Sequence, residues 1–90
     1  MRDTPYATEL ASVEIDSCRI ERIFVKAEGQ EEIRFSWWPD GKMANCPLDV
    51  PEAQLLELMA GAIRSRVFTG TFLQGLTRLL AEHARYPLSP

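Results

Sequence analysis

The stretch Glu32-Ile33-Arg34-Phe35-Ser36-Trp37-Trp38-Pro39-Asp40-Gly41 decides how this chain is read. Ile33, Phe35 and Trp37 alternate with Glu32, Arg34 and Ser36, the period of two of an antiparallel strand with one dry face and one wet face. The apolar three are expected to point at the core. Pro39-Asp40-Gly41 then supplies turn chemistry: Pro presets φ, Asp suits the second position, and Gly accepts the left-handed conformation that closes a bulged turn. A short strand over residues 42–46 should follow. Pro47 ends it, since a residue without an N–H cannot extend the ladder, and this marks an edge.

Upstream of that stretch, Ile20, Ile23, Phe24, Val25 and Ala27 form a β-branched and aromatic run that starts at Cys18 and stops at Glu28-Gly29-Gln30, which reads as a strand and a turn. Ile23, Phe24 and Val25 are consecutive, so either both faces of this strand are covered or a bulge shifts its register. Residues 1–17 are acidic, broken at Pro5-Tyr6, and carry only scattered apolar positions at Leu10, Val13 and Ile15. They are expected to be irregular, with part able to form a short helix or an added edge strand.

Downstream, Leu48-Asp49-Val50-Pro51-Glu52 reads as a helix start, with Asp49 as cap, Pro51 in the first turn and Glu52 at the capping-box position. Leu55, Leu58/Met59, Ala62 and Ile63 recur at helical spacing, and the helix runs out near residues 65–67. Thr69 can cap a second helix with Phe72/Leu73, Leu76, Leu79/Leu80 and His83 on its stripe, ending near Arg85 before Tyr86-Pro87. The expected fold class is α+β: a three-stranded antiparallel β-meander followed by two α-helices packed on one face, β-β-β-α-α, in two layers. The expected division is an irregular acidic segment at 1–17, a single α+β domain at 18–86 and a tail at 87–90.

With 90 residues the chain is the size of one small domain, and 46% hydrophobic with 26% charged residues is ordinary globular composition. No apolar run nears the roughly 18 residues that span a bilayer, and Met1-Arg2-Asp3-Thr4-Pro5 does not resemble a secretory signal, so a cytoplasmic location is expected. The net charge is −3. Residues 51–90 lean basic only through Arg64, Arg66, Arg78 and Arg85 against Glu52, Glu57 and Glu82, a poor footprint for nucleic acid. Cys18 and Cys46 are expected to be reduced, partly buried thiols. With His83 they make too few ligands for a structural zinc site. Glu28, Glu31 and Glu32 read as a solvated hairpin tip rather than a cation site. No paired-carboxylate site, phosphate-cradling glycine loop or nucleophile elbow is present, so no enzymatic activity, metal or cofactor is expected.

What remains is an excess of apolar surface. Trp38, adjacent to Trp37 and so on the opposite face, joins Leu56 and Phe68 as side chains that two helices cannot easily hide. Such a surplus in a short chain points to association. The leading expectation is a small non-catalytic protein–protein interaction module, a homodimer without a membrane role, acting as an inhibitor or antiactivator that covers the association surface of a larger regulatory protein. Trp38, Leu56, Phe68, Phe72 and Leu76 are the candidate partner-binding residues.

Residues 42–46, the Leu48-Asp49-Val50-Pro51-Glu52 segment and two consecutive helices also resemble the order of the ribbon-helix-helix family. That resemblance implies paired strands inserted in the DNA major groove, read through Lys42, Ala44 and Asn45, in a transcriptional regulator. Pro47 within the ribbon, the absence of a glycine turn between the helices and the extra hairpin depart from the family pattern. A third possibility is a small apolar ligand held among Phe24, Phe35 and Met59.

Overall fold

In the computed structural model, which describes residues 2–83, the chain runs as β1 (Ala7–Ile15), β2 (Cys18–Val25), β3 (Gln30–Trp37), a 3-10 turn (Pro39–Gly41), β4 (Leu48–Val50), α1 (Glu52–Arg64) and α2 (Gly70–Glu82). The class is α+β. The sheet has four antiparallel strands in the order β1-β2-β3-β4, where the alternation in the sequence predicts three. The chain divides into two compact units, residues 1–57 with the sheet and the start of α1, and residues 58–90 with the rest of α1 and α2.

The additional strand is β1, inside the segment expected to be irregular, and it is the added edge strand that the sequence allows there. Asp16 and Ser17 both hold positive φ, 51° and 68°, and they join Ile15 to its partner Cys18 in a two-residue hairpin. Paired positive φ values match the right-handed twist of the flanking strands, so this turn closes a hairpin although neither residue is Gly. Residues 2–4 fold back along the outer side of β1: Asp3 bridges Thr8, and the Glu9 N–H donates to the Arg2 carbonyl at 2.7 Å. A bulge between Glu9 and Ala11 adjusts the β1–β2 register, so the irregularity anticipated in the second strand lies in its neighbour.

Residues 42–46 do not form a strand. Asp40, Gly41 and Cys46 all have positive φ, and the segment closes only through single bonds such as Ala44 N–H to the Trp37 carbonyl at 2.7 Å. The fourth strand begins later, at Leu48, and pairs Leu48, Asp49 and Val50 with Phe35, Arg34 and Ile33. Asp49 is therefore a strand residue and not a helix cap. The first helical bond of α1 runs from the Leu55 N–H to the Pro51 carbonyl.

α1 ends in a Schellman arrangement, with Val67 N–H bonded to the Ala62 carbonyl and Arg66 N–H to that of Ile63. Arg66 occupies the left-handed position where Gly is usual, at φ 59°. Thr69 caps α2 as its sequence position implies, its hydroxyl accepting the Phe72 N–H at 3.1 Å. Arg85, Tyr86-Pro87 and the tail at 87–90 lie outside the described residues.

Left-handed backbone costs a non-glycine residue roughly 1–2 kcal/mol, of which the extra unfolded-state freedom of Gly returns about 0.5–1. Ser17→Gly and Arg66→Gly are each expected to stabilise the chain by about 0.5–1 kcal/mol, read as a higher urea midpoint at unchanged slope. A lower midpoint for either variant would contradict the turn geometry at that site.

Candidate functional site

Alternation along the strands assigns each side chain to one of two sheet faces. One carries Ala7, Glu9, Ser12, Glu14 from β1, Arg19, Glu21, Ile23, Val25 from β2, and Glu32, Arg34, Ser36 from β3 with Asp49 from β4. The other carries Val13, Ile15, Ile20, Phe24, Ile33, Phe35, Trp37, Leu48 and Val50. The first face is mostly polar, yet it holds most of the buried side chains; on the second, Ile33 and Val50 are buried and Phe35 is half-buried. Glu21 is 1% exposed, Glu32 and Arg34 6% each, beside a small apolar cluster of Ala7, Ile23 and Val25. For β3 the expected inward set is met at Ile33, which is buried, and in part at Phe35, but Glu32 and Arg34, expected to face water, are buried, and Trp37, expected in the core, is not. Trp37 is 57% exposed.

The burial on the polar face follows from the N-terminal residues and Trp38 lying over it. Arg34 Nε and its terminal nitrogen donate to the two Asp49 oxygens at 2.7 and 2.9 Å, a bidentate pair across β3 and β4. Tyr6 lies against this pair, its hydroxyl 3.4 Å from Asp49 Oδ2 and its ring under the Arg34 guanidinium. Arg2 reaches Glu21 Oε2 at 3.3 Å, and Ser36 Oγ contacts Glu21 Oε1 at 3.4 Å. The Trp38 indole donates to Ser36 Oγ at 2.9 Å and is flanked by the guanidinium groups of Arg2 and Arg19, whose carbons lie 4.9 and 4.0 Å from the ring centroid. Among the described residues no buried side-chain nitrogen or oxygen lacks a partner. The network is internally satisfied and holds the chain's first residues to the sheet.

Burial, reinforced by the neighbouring Glu9 carboxyl, raises the Glu21 pKa above its ordinary value of 4.5, while Arg2 and Arg34 pull it down. At the other end of the face Gln30 donates to both Glu28 and Glu32, and the Glu28 pKa is raised by its contact with Glu32. Glu31 instead pairs with Arg22, which also holds Glu52 at the start of α1. The acidic group at the hairpin is therefore divided between the two faces. Among the described residues no cluster of His, Cys, Asp and Glu is arranged to hold a metal ion. Cys18 and Cys46 are free and exposed, in place of the expected partial burial. His83 sits at the end of α2, exposed.

The expected partner-binding residues separate into three places. Trp38 is half-buried within the polar network. Leu56 is 73% exposed on α1. Phe68, Phe72 and Leu76 come together at the start of α2, with the Phe68 and Phe72 rings 4.8 Å apart, and Phe72 and Leu76 line an apolar depression with Thr71, Gly75, Arg78 and Leu79. Neither helix contains a buried residue, and Leu58, Leu79 and Leu80 are exposed as well. Of the residues suggested for an apolar ligand, Phe24 is exposed and Phe35 and Met59 are half-buried.

Val13, Ile15, Ile20, Trp37 and Leu48 are a second apolar group, exposed on one face of the sheet, that sequence reasoning does not single out. A signal is present: Ala11-Ser12-Val13-Glu14-Ile15 alternates with period two directly before the Asp16-Ser17 turn. Among the described residues no helix is long and apolar enough to cross a membrane. Comparison of the chain with protein families, with curated proteins and with solved structures found no match.

Two outcomes test the network. Asp49→Ala strands the Arg34 charge in a buried site and is expected to cost about 3 kcal/mol, whereas Asp49→Ala with Arg34→Leu costs less than Asp49→Ala alone, measured by urea denaturation. For Glu21, a folded-state pKa above the unfolded value means the folded chain holds the extra proton between the two. Stability then falls as pH rises through that window and stays lowered above it. Glu21→Gln is expected to raise the thermal midpoint at pH 7 and to lose that advantage as pH falls toward 4.5. An advantage independent of pH would contradict the raised pKa.

Proposed function

We propose that the chain is a small non-catalytic protein–protein interaction module that works as a homodimer and covers the association surface of a larger regulatory protein, as an inhibitor or antiactivator does. The observation that supports this reading is the state of the helices: neither α1 nor α2 buries a side chain, and Leu56, Phe72, Leu79 and Leu80 are left largely exposed. Leaving that many large apolar groups in water forgoes roughly 25 cal/mol for every Å² that a partner could cover. Phe72 and Leu76 are the anchors of this reading, because aromatic and aliphatic side chains lining an apolar depression that a charged residue, here Arg78, also borders are where binding energy concentrates. A helix presenting such a face suits a groove or a second helix on the partner.

The ribbon-helix-helix alternative needs residues 42–46 extended, with Lys42, Ala44 and Asn45 aligned along one side. That segment is irregular, and the strand preceding α1 pairs with β3 instead. The protein-binding reading is therefore preferred.

Titration against mixed-sequence DNA at low and high salt separates the classes, since phosphate contacts weaken steeply with salt. No binding at low salt is expected, and micromolar binding abolished by salt would overturn the proposal. In affinity capture, a protein retained by the full chain should be lost, by tenfold or more, with Phe72→Asp at unchanged helix content by circular dichroism. Equal retention by the variant would remove the helical surface from the reading.

A further inference from the structure

We infer that the outer edge of β1, over residues 11–15, is the seam at which two copies of this chain join, antiparallel and centred on Val13, to make one continuous sheet. This rests on the homodimer part of the reading above and supplies its geometry.

β1 is the outermost strand, with β2 on one side only. Along its first half the other side is occupied, because Ala7 and Glu9 bond to Thr4 and Arg2. Past the bulge, among the described residues, nothing bonds to the outer side of residues 11–15. Which backbone groups are open follows from the hairpin. A two-residue turn with both φ positive closes on a hydrogen-bonded pair, here Ile15 and Cys18. At every second residue before that pair, Val13 and Ala11 also bond to β2, so Ser12 and Glu14 turn their N–H and C=O groups outward. Open strand edges accept another strand, and natural edges are normally guarded by Lys, Pro or a covering segment. This stretch, Ala-Ser-Val-Glu-Ile, has no Lys, Pro or covering segment; the bulge lies just before it, and its one charge, Glu14, is paired with Arg19 of β2.

The occupant is identified by self-complementarity. An isologous antiparallel seam must be centred on a residue of β1. Centring on Glu14 would set two Glu14 carboxylates directly opposite, a destabilising pair. Centring on Ser12 would place Glu14 against Leu10, within the bulge that disrupts the ladder. Centring on Val13 sets Ser12 opposite Glu14 of the second copy, and Glu14 opposite its Ser12. Both outward-facing residues are then bonded twice over, and each Ser12 hydroxyl lies beside a Glu14 carboxylate. The same register brings Val13 against Val13 and Ala11 against Ile15 on the apolar face, where Val13 and Ile15 are 53% and 68% exposed. Glu14 already pairs with Arg19 at 2.6 Å, which offsets the charge it brings to the seam.

The full chain is tested by light scattering over a concentration series, together with Val13→Lys and, in a Cys18→Ser, Cys46→Ser background, Val13→Cys and Glu14→Cys. Val13 faces water in the single copy, so Lys there leaves the strand intact while placing two like charges at the seam. A dimer is expected, with Val13→Lys raising its dissociation constant at least tenfold at unchanged circular dichroism. Across a non-hydrogen-bonded pair the Cα atoms lie about 4.5 Å apart, within disulfide range. Val13→Cys should therefore form a disulfide-linked dimer on mild oxidation, while Glu14→Cys, displaced along the strand from its own copy, should not. A dimer that survives Val13→Lys and is not trapped through Val13→Cys overturns this seam and leaves the homodimer reading standing. A strict monomer at every concentration overturns both.

Discussion

The bidentate contact between Arg34 and Asp49 ties β4 to β3 and places a full charge pair where only a small part of either side chain meets water. Removing two charges from solvent is costly, and the cost is offset only when every remaining donor and acceptor is engaged. Tyr6 beside the carboxylate, and Glu21 with Arg2 and Ser36 further along, extend that engagement over one face of the sheet. Trp38 closes it between two guanidinium groups. The N-terminal residues are therefore committed to the polar face and cannot cover the other.

Val13, Ile15, Ile20, Trp37 and Leu48 are left open as a result. Apolar groups on a sheet ordinarily form the inner face, yet here most of the buried side chains lie on the charged face, and on the apolar one only Ile33 and Val50 are buried. A polar network of this kind is specific in geometry but contributes little net stability, so the apolar side chains remain the main reservoir of unused binding energy. The helices add to it, with Leu56, Phe72, Leu79 and Leu80 exposed along α1 and α2. Both kinds of apolar surface are left open on this short chain. The proposed function and the proposed β1 seam both draw on this one property, through different surfaces.

Several elements are legible in the order of residues. The strand over Cys18–Val25, the alternating strand ending at Trp37, and both helices with the Thr69 cap are local patterns, and local sterics and hydrogen bonding are enough to produce them. Elsewhere local patterns mislead, for identifiable reasons. Asp16-Ser17 closes a hairpin with two non-glycine residues at positive φ, which composition does not announce. Pro39-Asp40-Gly41 has the residues of a hairpin turn but forms a 3-10 turn leading into an irregular segment. Asp49 has the residue type of a helix cap, while its carboxylate is engaged by Arg34, which is adjacent only through strand pairing.

From its residues alone, this protein is α+β, with strands preceding a helix pair and more apolar side chains than its short chain readily hides. Period-two and period-3.6 patterns are properties of neighbouring residues, and so survive without knowledge of the fold. The tertiary structure decided that the polar sheet face is covered as well, because that depends on Arg2, Tyr6 and Trp38 meeting Glu21, Ser36 and Asp49 across long stretches of chain. It also left Trp37 rather than Trp38 in water, and between the short helix and the edge strand open to residues 1–17 it selected the strand, with residues 11–15 along its open edge.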